Sequence, residues 1–561
     1  MNNLLAKIWK IGLVSLIMAT PIQELLAEED LKSALRRAQY LLDESVPTDQ
    51  DFTDYSGSKG AYDQAVRNFI NGQNFYNVMM RYHQRIFGVG LPLEYIEELL
   101  KEDIDNKRKK SPKIMCERST GPNARFRCFW ASTAETDRSG GCPPAWEEAA
   151  SVFWYPGIVA WVCPTIMKTC GLDLSQCFIQ HSDENEARNS ELGTTEAFDS
   201  RYAVISSLSR QSAGLATAVV VDNYPYTKIL EPGLTAIDGA IAHFYRQSHH
   251  FKISELQIDP QVLDIASKMN LTGTRFQLVK TPGDNYASGG VLTTFGWLRR
   301  YDKNRTRANM LYERLLCRKF TSDLPAVFPQ DPGNLREAVG CSGCHSVLDP
   351  LADFFKVWGE EGNLYIGGDA QVNTYFSAAG CTGSSVADLA QCIQKNEGFA
   401  TCQVHHVWSW LMGRTFYKEE DTLRSKLTEY FIKTDFSMKE LIYAVATHPA
   451  FVDGARGNGE VDDPLEEPPL GQLPGEHELV CDKEVYTWAD DVKPGSDALC
   501  ARAGCHNGAS NLLSLASETD WNSWVDASIA SMGTGRMPMG NANADTVREF
   551  SDSVRCWKEH R

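Results

Sequence analysis

Apolar residues recur at helical spacing over much of the chain. Leu31, Leu35, Ala38 and Leu42 mark one amphipathic stretch, and Tyr62, Val66, Phe69 and Ile70 mark a second. Residues 74–87 carry a third, and helical patterns return over 185–320 and 381–455. Tyr226 to Tyr245 reads as a turn followed by a helix. Near the end, Val547, Phe550, Val554 and Trp557 fall on one helical face. Strand signals are few and short, at 363–366 and 371–376, and no repeat of solenoid length occurs. The pattern predicts a mostly α, multidomain protein.

Breaks in the pattern divide the chain. The segment 116–180 holds Cys116, Cys128, Cys142, Cys163, Cys170 and Cys177 among Gly and Pro, and reads as a loop-rich insertion tied by three disulfides. Spacing leaves the pairing open. Residues 456–480 are rich in Asp, Glu, Pro and Gly, as a linker is. The expected organisation is a leader (1–27), a helical domain (28–115), the cysteine-rich insertion (116–180), a helical domain (181–320), a domain with closing helices (321–455), the linker (456–480) and a small last domain (481–561). Lys7 and Lys10 precede the apolar run Ile11 to Ala19, and small residues at Ala19 and Ala27 suit cleavage, so 1–27 reads as a secretory signal peptide. Ala149 to Ile166 is uncharged but contains Pro156, Gly157 and Pro164, and reads as a buried segment, so no membrane span is expected after signal removal.

Sixteen cysteines point to an oxidising compartment, periplasmic or extracellular. The net charge of −18 argues against nucleic-acid binding, since Lys107 to Lys110 is the longest basic run and reads as a solvated loop. No P-loop, dinucleotide fingerprint or zinc-protease motif is present. The carboxylate pairs Glu419–Glu420 and Glu466–Glu467 lie in charged, loop-like surroundings and read as solvated.

Two motifs carry chemistry. Cys341-Ser-Gly-Cys344-His345 is the C-x-x-C-H pattern in which two thiols add across the vinyl groups of one porphyrin and the next imidazole reaches the iron. Composition alone gives roughly 0.01 such matches in a chain of this kind. Cys500-Ala-Arg-Ala-Gly-Cys505-His506 is a looser version. It is followed by Met537-Pro538 and then by the terminal amphipathic stretch, the order found in a small monohaem cytochrome c. Met537 is therefore the expected axial ligand opposite His506, with Met539 and Met532 as alternatives. A zinc half-site or a redox dithiol is the competing explanation of the first motif.

No Met-Pro loop follows His345, so its opposite ligand stays open among His405, His406, Met412, His243 and His83. For each, a core or hydrogen-bonded residue is the competing explanation. Arg414 is a candidate partner for a haem propionate, or a surface or core-capping arginine. Twelve cysteines remain for disulfides. Cys481 with Cys556 would tie the ends of the last domain, and Cys317, Cys381, Cys392 and Cys402 would form two bridges around the first motif.

Residues about 30 to 455 resemble large secreted proteins that carry a planctomycete-type cytochrome c module. Asp30 to Arg37, Val46 to Asp49 and Asn74 to His83 are similar to their N-terminal helical domain. Tyr226 to Leu230, Leu234 to Asp238 and Ala242 to Tyr245 are similar to their next segment. Gly290 to Thr293, Leu315 to Cys317, Cys341 to His345 and Leu348 to Leu351 resemble the domain bearing their motif. Phe399 to Cys402, Met412 to Arg414 and Ser437 to Phe451 resemble their closing helices. The six-cysteine stretch and the appended small cytochrome c domain depart from that pattern. The resemblance implies an extracytoplasmic haem protein and no defined activity.

The expectation is a secreted dihaem c-type cytochrome that passes electrons to or from a redox partner protein. A dihaem redox enzyme with an open distal site at the first haem is one alternative, and a haem-bearing surface or polysaccharide-binding protein is another.

Overall fold

The computed structural model describes residues 30–90, 113–118, 126–130, 142–152, 155–174, 177–181, 200–248, 273–280, 289–320, 334–338, 341–358, 374–376, 380–454, 487–495, 553–554 and 556–557. The chain divides into two compact units, Met1–Glu467 and Pro468–Arg561, with the division inside the acidic 456–480 segment.

The N-terminal helices form where the apolar stripes lie. Helix α1 (30–43) buries Leu31, Leu35, Ala38 and Leu42. Thr48 and Asp51 make a capping box that starts α2 (Asp49–Tyr55). Ser58 caps α3 (Lys59–Asn71), whose Tyr62, Val66, Phe69 and Ile70 are buried together. Helix α4 (Phe75–Phe87) stops at Gly88, whose φ of 62° is the left-handed conformation that glycine adopts without Cβ strain.

The cysteine-rich segment is a sheet, which corrects the loop-rich expectation. Strands β1 (Lys113–Arg118), β2 (Phe126–Trp130), β3 (Glu148–Val152) and β4 (Tyr155–Val162) are followed by α5 (Pro164–Cys170) and β5 (Phe178–His181). Their spatial order is β3-β4-β2-β1-β5. Two of the pairings, β1 with β5 and β2 with β4, are parallel and join strands distant in sequence. The apolar run 149–166 supplies β3, β4 and the start of α5. The three bridges are local: Cys116–Cys128, Cys142–Cys163 and Cys170–Cys177. The first joins residues directly opposite on β1 and β2.

Helix α6 (Ser200–Val221) is the one described helix long and apolar enough to cross a membrane; over Ala203–Val221 its mean hydropathy is 1.2 and 89% of that window is buried inside the protein. It packs on α4, as a core helix does. After β6 (Leu234–Ile237), the Asp238 carboxylate accepts the Ile241 amide at 2.9 Å and begins α7 (Gly239–Ser248). Strand β7 (Gln277–Lys280) pairs antiparallel with β6. Then come α8 (Phe295–Arg300), α9 (Asn304–Arg314) and α10 (Ser342–Asp353). A short hairpin of β8 (Thr374–Phe376) and β9 (Cys381–Gly383) leads to α11 (Val386–Gln394), α12 (Glu397–Met412), α13 (Asp421–Lys433), α14 (Met438–Thr447) and α15 (Pro449–Val452).

First and last helices seal one another. The Tyr62 hydroxyl donates to the Ala446 carbonyl at 2.8 Å. Arg67 pairs with Glu440, and Arg37 donates to the Phe451 carbonyl. Cys317–Cys402 and Cys381–Cys392 are the two bridges expected around the first motif. In the second unit Val492, Val554, Cys556 and Trp557 are buried, and Trp488 and Trp557 lie 5.8 Å apart. Cys556 is disulfide-bonded; its expected partner Cys481 lies outside the described residues.

Candidate cofactor site

The C-x-x-C-H motif forms the first turn of α10. The Cys341 amide donates to Ala338, and the Cys341 carbonyl accepts the amides of Cys344 and His345 at 3.2 and 3.0 Å. Helical pitch then brings Cys341, Cys344 and His345, at i, i+3 and i+4, to one side of that turn. All three are half-buried, and the space around Gly343 is open, with no atom within 4 Å of where a Cβ would stand. Below them Leu351, Ala352, Phe354, Phe355 and Val357 are buried and anchor the far end of the helix segment.

Cys341 and Cys344 are free thiols, while every other described cysteine is in a disulfide. Zinc binding at this motif would need further ligands, and among the described residues no metal-ligand cluster includes it. A cofactor joined through two thioethers and one imidazole fits this donor set.

His345 is held from behind. Its Nδ1 lies 2.9 Å from Asp349 Oδ1, one helical turn on. Asp349 is buried and takes a two-pronged contact from Arg305 on α9, Nε to Oδ1 at 2.7 Å and Nη2 to Oδ2 at 3.2 Å. Arg336 adds a guanidinium nitrogen 3.6 Å from Oδ2 and donates to Asp353 at 3.1 Å. Burial pushes the Asp349 carboxyl up, but the Arg305 and His345 hydrogen bonds and nearby positive charge outweigh it, and the net shift is below the ordinary carboxylate value. An ionised carboxylate only accepts, so Nδ1 is the donor in this contact and Nε2 is the nitrogen left for an iron. Helix α9 is itself fixed by the buried Arg307, which donates to the carbonyls of Tyr301, Leu298 and Trp358.

The candidate opposite ligands lie on other elements. His83 is fully buried on α4, its Nδ1 3.0 Å from the Thr217 hydroxyl, its ring stacked on Phe87 and Tyr226. Burial drives its pKa down to about 3. His243 is fully buried on α7. His406 Nε2 is 2.9 Å from the Arg314 carbonyl, so it donates there. Arg314 ends α9 and Arg305 begins it, which puts roughly 14 Å of helix between His406 and the Asp349 clamp. His406 also lies 3.4 Å from Cys402 Sγ; with Cys317 they form a metal-sized cluster, but those sulfurs are bonded to each other. Burial lowers the pKa of His406 to about 4 and also lowers that of half-buried His405. Met412 ends α12 half-buried.

Arg414 is committed elsewhere. It grips Glu420 with two bonds of 2.7 and 2.8 Å, and Glu420 is 0% exposed. This corrects the reading of Glu420 as solvated; Glu419 is exposed as expected, and Glu466–Glu467 lie outside the described residues. The 3₁₀ turn over Lys418–Glu420 folds the second carboxylate inward, where the Tyr417 amide also donates to it. Cys500, Cys505, His506, Met537, Met532 and Met539 lie outside the described residues, as do 1–27 and 363–366.

Arg305 and Arg336 were not singled out by sequence, and Asp349 entered only within the Leu348 to Leu351 stretch, with no role assigned. The i,i+4 spacing of His345 and Asp349 is a legible signal for Asp349; the arginines arrive through tertiary packing. No protein-family model matches the chain, and no curated protein or solved structure matches it.

Proposed function

We propose that the protein is a secreted, periplasmic or extracellular, dihaem c-type cytochrome that transfers electrons to and from a redox partner protein. One observation carries the reading. Among the described residues, with five disulfides, the two cysteines left as free thiols stand on one helical turn beside a histidine whose Nδ1 is bonded to Asp349. Bridged sulfurs elsewhere support maturation in an oxidising compartment. Cys341 and Cys344 would hold the first haem and His345 would ligate its iron. Cys500, Cys505, His506 and Met537 would do the same for a second haem in the small unit. The cofactors supply one-electron exchange, with potentials set by axial ligands, burial and nearby charge. The protein's part is attachment, orientation and the electrostatics of the Asp349–Arg305 pair. The acidic 456–480 segment suits a tether that keeps the small unit at high effective concentration near the large one.

A dihaem enzyme is the second reading, favoured by the commitment of His406 Nε2 to the Arg314 carbonyl. The test is a pyridine haemochrome count per chain, followed by optical and EPR spectra of the ferric protein. Two low-spin haems inert to cyanide and carbon monoxide support electron transfer. One high-spin, ligand-binding haem supports the enzyme. Absence of covalent haem refutes both.

A further inference from the structure

We propose that Asp349 is a positioning residue that fixes the tautomer of His345 and, together with Arg305, sets the potential of the first haem. The inference rests on the haem reading above. A free histidine rotates and carries its proton on either nitrogen. Here the Nδ1 to Oδ1 contact of 2.9 Å holds the ring from one turn away on the same helix. The carboxylate in turn is clamped from a second helix by Arg305 at 2.7 and 3.2 Å, with Arg336 3.6 Å from its other side. The result is a three-member relay, guanidinium to carboxylate to imidazole.

Each member has a sign. A carboxylate on Nδ1 draws the ring proton toward itself, makes Nε2 a stronger donor and favours ferric over ferrous iron. Arg305 withdraws negative charge from the carboxylate and so moderates that push. Removing the carboxylate charge must therefore raise the potential, and removing the guanidinium must lower it. A purely structural contact would not give opposite signs. The buried location of Asp349, with both oxygens engaged, keeps the effect from being screened by solvent.

The experiment is spectropotentiometric titration of the full-length, haem-loaded protein and three variants. Asp349→Asn keeps the size and loses the charge. The expected result is a rise in the potential of one haem, on the order of a tenfold change in ferric preference, or ~59 mV for one electron. The other haem stays where it is. Arg305→Gln is expected to move the same haem downward. Asp349→Glu, which restores the charge, is expected to return the potential toward that of the wild type. A haemochrome count on the wild type comes first: a count without the first haem refutes the dihaem reading. With two haems present, an unchanged potential in Asp349→Asn, or a shift of the same sign in Asp349→Asn and Arg305→Gln, overturns this inference and leaves that reading standing. If Asp349→Asn fails to fold, the sign of the Arg305→Gln shift decides.

Discussion

The Cys317–Cys402 bridge closes a loop of 85 residues that contains Cys341, Cys344 and His345, whereas Cys381–Cys392 closes one of 11 inside the same span. A cross-link stabilises chiefly by limiting the unfolded chain, and the effect grows with loop length. The chain-entropy relation gives about 4.6 kcal/mol for the long loop and about 2.8 kcal/mol for the short one. Replacing both members of each pair by Ala is the cleaner change, because Cys402 and Cys381 are buried and a Ser would leave a hydroxyl to satisfy. Loss of the long bridge is therefore expected to cost about 2 kcal/mol more than loss of the short one. Guanidinium unfolding at pH 7, followed by far-UV circular dichroism, measures both losses against the wild type. The native structure opposes neither substitution strongly, since Cβ atoms remain in place. Equal losses, or a greater loss from removing Cys381–Cys392, would refute the loop-length reasoning. That result would mean that local packing around β9 and α11 governs this region.

Three further outcomes are expected. The double change Cys341→Ala, Cys344→Ala should remove one of two haems in a pyridine haemochrome assay while circular dichroism stays unchanged; a full count would sink the assignment. His83 has a folded pKa depressed to about 3, so its contribution to stability is whole above its unfolded pKa of 6.5 and is lost as pH falls from 6.5 toward 3. Urea unfolding at pH 7 and pH 5 should show a smaller drop for His83→Gln than for the wild type, and an equal drop would contradict this. Arg414→Ala strands the buried Glu420 carboxylate and should cost about 2 kcal/mol, below the full cost of breaking a buried pair because Arg414 is partly exposed. Thermal melts test it, and an unchanged melting temperature counts against the pair's role.

Sequence alone determined what is local. Stripes such as Leu31, Leu35, Ala38 and Leu42 name their helices because side chains three and four apart share a face. The haem-type motif announces its own turn for the same reason: Cys341, Cys344 and His345 meet by helical pitch. The cysteine count pointed to three disulfides over 116–180, although spacing left their pairing to the structure. Tertiary structure decided what depends on distant partners. The sheet over 113–181 was not legible, because β1 pairs with β5 and β2 with β4 across intervening strands, and short strands carry little period of their own. Glu420 looked solvated until Arg414 and the 3₁₀ turn drew it inside. Asp349 was within reach of a sequence argument, being one turn from His345. Arg305 was not, since it arrives on another helix from 44 residues away. Local geometry follows from bond lengths and helical pitch, while burial and charge pairing follow from which distant surfaces pack. That division separates the motif that would attach a cofactor from the residues that would tune it.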